Sequence, residues 1–332
     1  MKNLLIIVLI ALGFLRAVAE PVTVQVKVID DLGAPVVDAD VLVIFQGYTA
    51  KPVSEVILKS NAEGIVQTQG ETPIGVTLRA WKPGHYETET EFSISPKKPI
   101  ERTYVLPRVV KPIPLFAARD EYLQLPVQNE WVSYDFEARD WIPPYGKGKR
   151  SDIRFKFTKM FKGYDDAFPD IEAEKAAAKK AKESRGLKWS EDEFNWSAGK
   201  WDGVLEVSFA NAKEGMVEEE KRFLSSSLLK LPHLAPKTGY EPTRRYEAST
   251  YKGRPPEKAT GFFLRTRVHL DADGDVISAN YAKIYGDLRF DPRGTVRIWY
   301  YFNPTPNDRN LEFDVKRNLL PERSSSDGVR HP

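Results

Sequence analysis

The sequence predicts a mainly β protein, an N-terminal antiparallel β-sandwich followed by a larger antiparallel β-sheet domain with one inserted surface helix. Three observations carry that expectation. Apolar and polar residues alternate with a period of two, as at Val22, Val24, Val26 and Val28, and again at Phe262, Leu264, Val268 and Leu270. Turn-forming groups recur between such runs, among them Asp30-Asp31-Leu32-Gly33, Asn61-Ala62-Glu63-Gly64 and Asp291-Pro292-Arg293-Gly294. A single stretch, PDIEAEKAAAKKAKESRG at 169–186, has helical composition instead.

The chain opens MKNLLIIVLIALGFLRAVAE. Lys2, the apolar run 4–15 and the box Ala17-Val18-Ala19 form the pattern of a cleaved export signal, expected to cover residues 1–19. At about 1.5 Å of rise per residue the run falls short of a ~30 Å hydrocarbon core. No later run approaches that length, so no transmembrane segment is expected after cleavage. The mature protein is expected to begin at Glu20 and to be exported, periplasmic or secreted. Absence of cysteine excludes a lipid-anchored lipoprotein, a disulfide scaffold and a thiolate metal site. Removing Lys2 and Arg16 from the 49 basic residues leaves them equal to the 47 acidic ones, so net charge indicates no polyanionic partner.

Residues 20–110 read as the first domain. After the valine alternation and the turn at Asp30, Val41 to Phe45 is a second apolar run, and Val56-Ile57-Leu58 and Ile65-Val66 flank a hairpin signal at Asn61. Strands around 74–81, 86–94 and 102–106 follow. DDLGAPVVDADV (30–41), NAEG (61–64) and KPGHY (82–86) resemble the carboxypeptidase regulatory-like, transthyretin-like modules of many exported bacterial proteins. The family usually has Asp where Asn61 stands. The resemblance covers about a quarter of the chain and implies a sandwich without catalytic residues of its own, serving as spacer, adhesion element or folding aid.

Pro107, Pro112, Pro114 and Pro126 then disfavour helix and central strand, and 111–130 reads as a proline-rich extended linker. The β-rich second domain is expected over 131–320. In it Ile153, Phe155, Phe157 and Phe161 line one strand face, and Val204 to Phe209 form another strand. Phe262 to Leu270, 276–285, 288–290, Thr295 to Phe302 and 311–315 read as a meander. The helical stretch has Asp170 as cap and Ile171 as its single large apolar residue, which predicts a solvent-facing insertion. Residues 321–332 read as a disordered polar tail. KPIPLFA (111–117), DWIPPYGKGK (140–149), APKTGYEP (235–242), NYAKIYGDLRF (280–290) and YFNPTPNDRNLEFD (301–314) resemble a group of uncharacterised exported bacterial proteins. That second resemblance implies no activity.

The candidate sites are few. Asp271, Asp273 and Asp275 have the start of a calcium loop, but counting from Asp271 the sixth position is Val276 and the twelfth Ala282, where a Gly and a bidentate acid are required. Asp273-Gly274 between alternating strands predicts a hairpin turn, and no metal or other cofactor is expected. The basic run KGKRSDIRFKFTKMFK interleaves aromatics, yet strand geometry points Ile153, Phe155 and Phe157 away from Arg154 and Lys156. With export as well, nucleic acid is not an expected partner; the run reads as a solvated sheet face, with an anionic glycan or lipid headgroup as the alternative it would bind. YGKGK lacks the spacing of a phosphate loop. Trp141 and Tyr145, held by Pro143 and Pro144, are the best loop candidates for sugar stacking, and Trp189, Trp196 and Trp201 form a weaker set in a charged loop, with rings that cap the core as the favoured alternative. Asp308 and Arg309, in the loop NPTPNDRN, are candidates for orienting a ligand, and Asx-turn chemistry is the favoured alternative, explaining most of the loop without one. His85, His233, His269 and His331 lie far apart, and neither HExxH nor GxSxG occurs. His269 is expected to share an exposed strand face with Arg265 and Arg267.

These readings predict an exported, non-enzymatic binding or structural protein of the cell envelope or exterior, its partner a glycan or an envelope protein. The alternative is a glycan-active hydrolase using a carboxylate pair in the second domain. A cleft holding two carboxyl groups, one with a raised pKa, would distinguish the hydrolase.

Overall fold

The computed structural model describes residues 21–94, 99–220, 227–252, 260–321, 329 and 331–332. The expected export signal and most of the expected tail lie outside them. The chain is mainly β, as its alternation predicts, and its described residues fall into two compact units that separate between Arg108 and Val109. Ser227, bridged to Thr88, belongs with the first.

Unit 1 contains β1 (Pro21–Ile29), β2 (Asp40–Gln46), β3 (Ser54–Lys59), β4 (Ile65–Glu71), β5 (Gly75–Trp81), β6 (Glu91–Ile94) and β7 (Ile100–Val105). They form one sheet of order β4-β1-β7 and another of order β3-β2-β5-β6. All pairs are antiparallel except β1 with β7, which is parallel. Val24, Val26 and Val28 from one sheet and Val41, Val43 and Phe45 from the other are buried in a shared core. Gly70 on β4 has no side chain because Phe45 occupies the space: a Cβ there would lie 2.7 Å from the Phe45 ring.

Three turns share one design. Asp30, Asn61 and Asp271 each accept, on a single side-chain oxygen, the amides two and four residues ahead. Each turn has a glycine at the fourth place with φ between +74° and +84°. This is Asx-turn chemistry. It resolves the aspartate trio as the tip of a hairpin, with the Asp271 carboxylate engaged by the amides of Asp273 and Asp275.

Unit 2 contains β8 (Phe116–Gln124), β9 (Val132–Asp135), β10 (Asp140–Trp141), β11 (Ile153–Tyr164), α1 (Ile171–Glu183), α2 (Glu191–Ala198), β12 (Gly199–Ser208), β13 (Gly215–Glu220), β14 (Thr243–Ser249), β15 (Thr260–Leu270), β16 (Val276–Tyr285), β17 (Arg289–Asp291) and β18 (Thr295–Asn303). A five-stranded sheet has the order β10-β9-β11-β12-β14. In the six-stranded sheet β13, β15, β16 and β18 follow one another, and β17 and β8 both pair with β18. Because β8 matches β18 along most of its length, β16 and β17 share the other side and β8 is an edge strand.

Phe155, Leu205 and Val207 face Phe262, Ile284, Tyr300 and Phe302 across the core between these sheets. The six-stranded sheet is buried on its other face too. Phe263, Tyr281, Tyr285 and Tyr301 are covered there by Leu231, Leu311, Phe313 and Val329 from irregular segments. Burial on both faces explains why 298–302 reads as an unbroken aromatic and apolar run.

Five expectations are corrected. The segment 111–130 is not a bare connector, since β8 lies within it; Pro112, Pro114 and Pro126 flank that strand and leave its ladder intact. A second helix, α2, stands where a charged loop was expected, and Ser190 caps it by accepting from the Glu193 amide. Phe161 does not continue the buried face of β11; it is 41 % exposed, packed on Trp201 near a bulge. Residues 311–315 form no strand and instead lie across the far face of the six-stranded sheet. Of the expected tail, Val329 and Pro332 are buried. Helix α1 has no buried residue, in keeping with its composition, and is tied to α2 by Lys175–Glu191 and Lys182–Glu193 pairs.

Arg267 bridges the two sheets of unit 2 from inside their core. A register shift between Thr266 and His269 and a φ of +53° turn Arg267 inward, so its side chain is only 7 % exposed. The expected exposed row with His269 is therefore broken. Arg267 donates Nε to Asp152 Oδ1 at 2.7 Å and Nη2 to Asp152 Oδ2 at 2.8 Å. It also pairs with Glu137, reaches Asp135 at 3.4 Å and lies 4.4 Å over the Phe302 ring. Burial pushes the Asp152 carboxyl up to about 6 even with this guanidinium against it. Replacing Arg267 with Met leaves buried carboxyl groups without their cation and should lower the unfolding free energy by about 3–5 kcal/mol. An orphaned Asp152 must take up a proton to stay buried, so urea titrations should show a smaller loss at pH 5 than at pH 8.

Lys283 on β16 is the opposite case, fully buried on the far face. Burial lowers its pKa from 10.5 to about 7, against a weaker opposing pull from Glu312. Between those values the unfolded chain binds more protons, so this group makes stability rise with pH from about 7 to 10.5. Lys283→Met should abolish that rise and stabilise the protein at pH 7 by ~2–5 kcal/mol, read from denaturation at pH 7 and pH 9.

Candidate functional site

Unit 2 has an open groove of about 800 Å³ along β12, β14 and the turn after β17. Its shape follows from one glycine. Gly203 pairs with Ala248 on β14, and a Cβ at Gly203 would lie 2.6 Å from Pro292 Cβ and 2.9 Å from the Phe290 ring. The Asp291-Pro292-Arg293-Gly294 turn thus rests directly on the backbone of β12, where the chain has left room for it. Val204 and Met160 contribute apolar wall, and Asp202, Ser249, Tyr251 and Lys252 the polar lining.

Asp202 lines the groove with one oxygen, Oδ2, partnered and the other, Oδ1, buried without a hydrogen-bond partner. Its Oδ2 accepts from the Tyr251 hydroxyl at 3.2 Å and from Lys252 Nζ at 3.5 Å, with Lys162 Nζ at 4.0 Å. Partial burial works against its ionisation, but hydrogen bonds from Ser249 and Tyr251 and the Lys252 charge outweigh it and hold its pKa below the ordinary 3.8. The Tyr251 ring is 38 % exposed and has Lys252 Nζ at 5.3 Å and Lys200 Nζ at 6.0 Å. At the groove's turn, Arg293 forms a two-point pair with Asp291 at 2.9 and 2.7 Å and stacks 4.1 Å over Trp196, which is 45 % exposed. The groove therefore combines a half-exposed phenol ring, an ionised carboxylate fixed by donors, and a rim of arginine on indole. Such a lining offers hydrogen bonds and aromatic surface to a polyhydroxylated ligand.

The residues singled out from sequence stand elsewhere. Trp141 is buried: its ring packs edge-on against Tyr134 at 5.1 Å and Phe155 at 6.1 Å, so it presents no face to a sugar. Tyr145 is 39 % exposed, with its hydroxyl 3.4 Å from Glu130. Asp308 accepts the Asn310 amide at 3.0 Å, and Arg309 donates to the Ala235 carbonyl at 2.7 Å, so both hold loops together. The first pair sits on and after β10 of the five-stranded sheet and the second beyond β18 of the six-stranded one; the structure does not assemble the four into one site. The weaker tryptophan set comes closer. Trp196 reaches the groove's rim through Arg293, and Trp201 donates its indole N–H to the Asn195 carbonyl at 3.1 Å, capping α2. The residues that line the groove were missed because Asp202, Tyr251 and Arg293 meet only after three strands have paired.

Asp152, whose pKa is raised to about 6, is sealed in the core beside Arg267, whereas Asp202 in the groove is shifted downward. Among the described residues no helix is long and apolar enough to cross a membrane, and no group of three metal-ligating side chains occurs.

No family model matches the chain, and no curated protein matches it. Among solved structures, a point mutant of the shaft pilin SpaA from Lactobacillus rhamnosus GG is similar with 9 % identity and a TM-score of 0.21, over 88 % of this chain and 95 % of that one.

Replacing Trp141 with Ala should cost about 3–5 kcal/mol of stability in urea denaturation, as for any large ring removed from a core, and should leave ligand binding in the groove unchanged at temperatures where the variant is folded.

Proposed function

We propose that this chain is an exported, non-enzymatic binding or structural protein of the cell envelope or exterior, and that the groove beside β14 takes a carbohydrate. The observation that supports it is Asp202, a carboxylate fixed in an open groove by Tyr251 and Lys252 and kept ionised there. A held anion of this kind accepts hydrogen bonds from sugar hydroxyls. It is poorly suited to donate a proton to a leaving group, which needs a carboxyl of raised pKa at the scissile bond. The Tyr251 ring supplies the apolar face on which sugar C–H groups pack. Unit 1, whose residues resemble a module without catalytic groups, fits a display role.

A glycan array combined with a hydrolysis screen on residues 20–332 tests the reading. Binding without product is expected, and Tyr251→Ala should weaken it about five- to tenfold, the equivalent of ~1 kcal/mol for a lost ring contact. Release of a shortened glycan by the wild type but not by Asp202→Asn would refute it in favour of the hydrolase.

A further inference from the structure

The solvent face of the five-stranded sheet runs on from the groove and ends in a basic corner. Strand register sets its side chains in rows. Met160, Asp202 and Ser249 form the row at the groove, and Thr158, Val204 and Glu247 the next. Lys156, Glu206 and Arg245 follow, and Arg154, Ser208 and Thr243 come last. Residues directly opposite one another share a face, as do residues two apart on one strand. At about 3.4 Å of rise per residue, the strip from Met160 to Arg154 is roughly 20 Å long.

Charge is not spread evenly along it. Lys156 pairs with Glu206 at 3.2 Å and Arg245 with Glu247 at 3.1 Å, so those rows are balanced. Arg154 makes no ion pair with a described residue. Its guanidinium lies instead 5.3 Å from the centre of the Trp131 ring, which is 39 % exposed and has Lys156 Nζ at 5.8 Å. Next to Trp131, Glu130 meets the Tyr145 hydroxyl at 3.4 Å, which ties the loop after β10 to this corner. Lys147, Lys149 and Arg150 in that loop are exposed and make no ion pair with a described residue either. The Asp135 and Asp140 carboxylates nearby are turned onto the loop's own amides, those of Trp141, Lys147, Lys149 and Arg150.

A guanidinium held on a ring and free of any carboxylate is ready for an anion. No ion pair has to break, and little side-chain freedom is lost when the anion arrives. The Trp131 and Tyr145 rings add apolar surface for sugar C–H groups. At the other end of the strip, the buried Oδ1 of Asp202 has no partner and can accept from a hydroxyl. One polymer with both hydroxyl and acid groups answers both ends. A strip that finishes in a groove suits such a chain better than it suits a planar bilayer.

We propose that the carbohydrate of the groove is an acidic polysaccharide, which runs from Asp202 along β11 and β12 to an anion-binding corner made by Arg154, Trp131 and the loop carrying Lys147, Lys149 and Arg150. This rests on the carbohydrate reading of the groove and adds the charge of the ligand and a second point of attachment.

The test is titration calorimetry of residues 20–332 with octasaccharides of pectate, alginate and hyaluronan, each beside its carboxyl-reduced form. One acidic octasaccharide should bind about tenfold more tightly than its reduced form, with the advantage shrinking as salt is added. Arg154→Ala, checked for folding by circular dichroism, should remove most of that advantage and leave the reduced form unaffected. Tyr251→Ala should weaken both forms. Equal binding of the acidic and reduced forms, or an acidic form indifferent to Arg154→Ala, would overturn the proposal and leave the groove reading standing. Acidic binding that needs Arg154 but not Tyr251 would overturn it too, since the corner would then act alone. So would Arg154-dependent binding to phosphatidylglycerol vesicles with no octasaccharide bound. Failure of any saccharide to bind the wild type removes the groove reading and this proposal with it.

Discussion

Unit 2 depends on the guanidinium of Arg267 standing between its two sheets. Asp135 and Asp152 would be costly inside a sandwich without it, yet both have backbone duties that keep them there. Asp135 accepts the amides of Glu137, Ala138, Lys149 and Arg150, and Asp152 accepts that of Phe136. These carboxylates shape the corner that follows β9, and Arg267 arrives from β15 on the facing sheet to neutralise it. Its left-handed backbone costs on the order of 1–2 kcal/mol, less than a buried acid without a partner. Arg139 repeats the device with φ +51°, delivering its side chain to Asp120 on β8. The β9 margin of the five-stranded sheet is thus closed by charge, and the groove lies at the opposite margin, along β14.

Much of the fold was legible because it follows from local rules. Alternation found β1, β15 and β16, and glycine-bearing turn and hairpin signals found the turns at Asp30, Asn61 and Asp271. The errors come from contacts that no local pattern encodes. The prolines around 116–124 looked like a linker because their density was counted and their position relative to a proline-free strand was not. Helix α2 did carry a signal: Ser190 with Glu193 three places on is a capping box, but Trp189 and Trp196 drew the reading toward an exposed loop. Arg267 shows the sharpest limit. One register slip in β15 moves a side chain to the other face, and nothing in RTRVHL announces it.

The candidate site was the least legible part, for a related reason. Trp141 and Tyr145 looked like a platform because they are aromatic and lie among prolines, whereas the face a ring presents is decided by what packs on it. Tyr134 and Phe155 claim Trp141 for the core. The groove instead takes Asp202, Tyr251 and Arg293 from well-separated parts of the chain, and its signature is the missing side chain at Gly203. A glycine inside a strand run is a known mark of close backbone approach; here it marks where the turn after β17 settles and where the wall of the groove begins.

The two buried cations of unit 2 show where the fold has and has not been arranged for stability. Arg267 meets three carboxylates and an aromatic face, so its desolvation is offset by partners matched to its five donors. Lys283 has two ring faces and a single phenol oxygen, while the Glu312 carboxylate accepts the amides of Val110 and Lys111. Had selection acted on stability alone, an apolar side chain at 283 would fill the same space between Tyr285 and Tyr301 at lower cost.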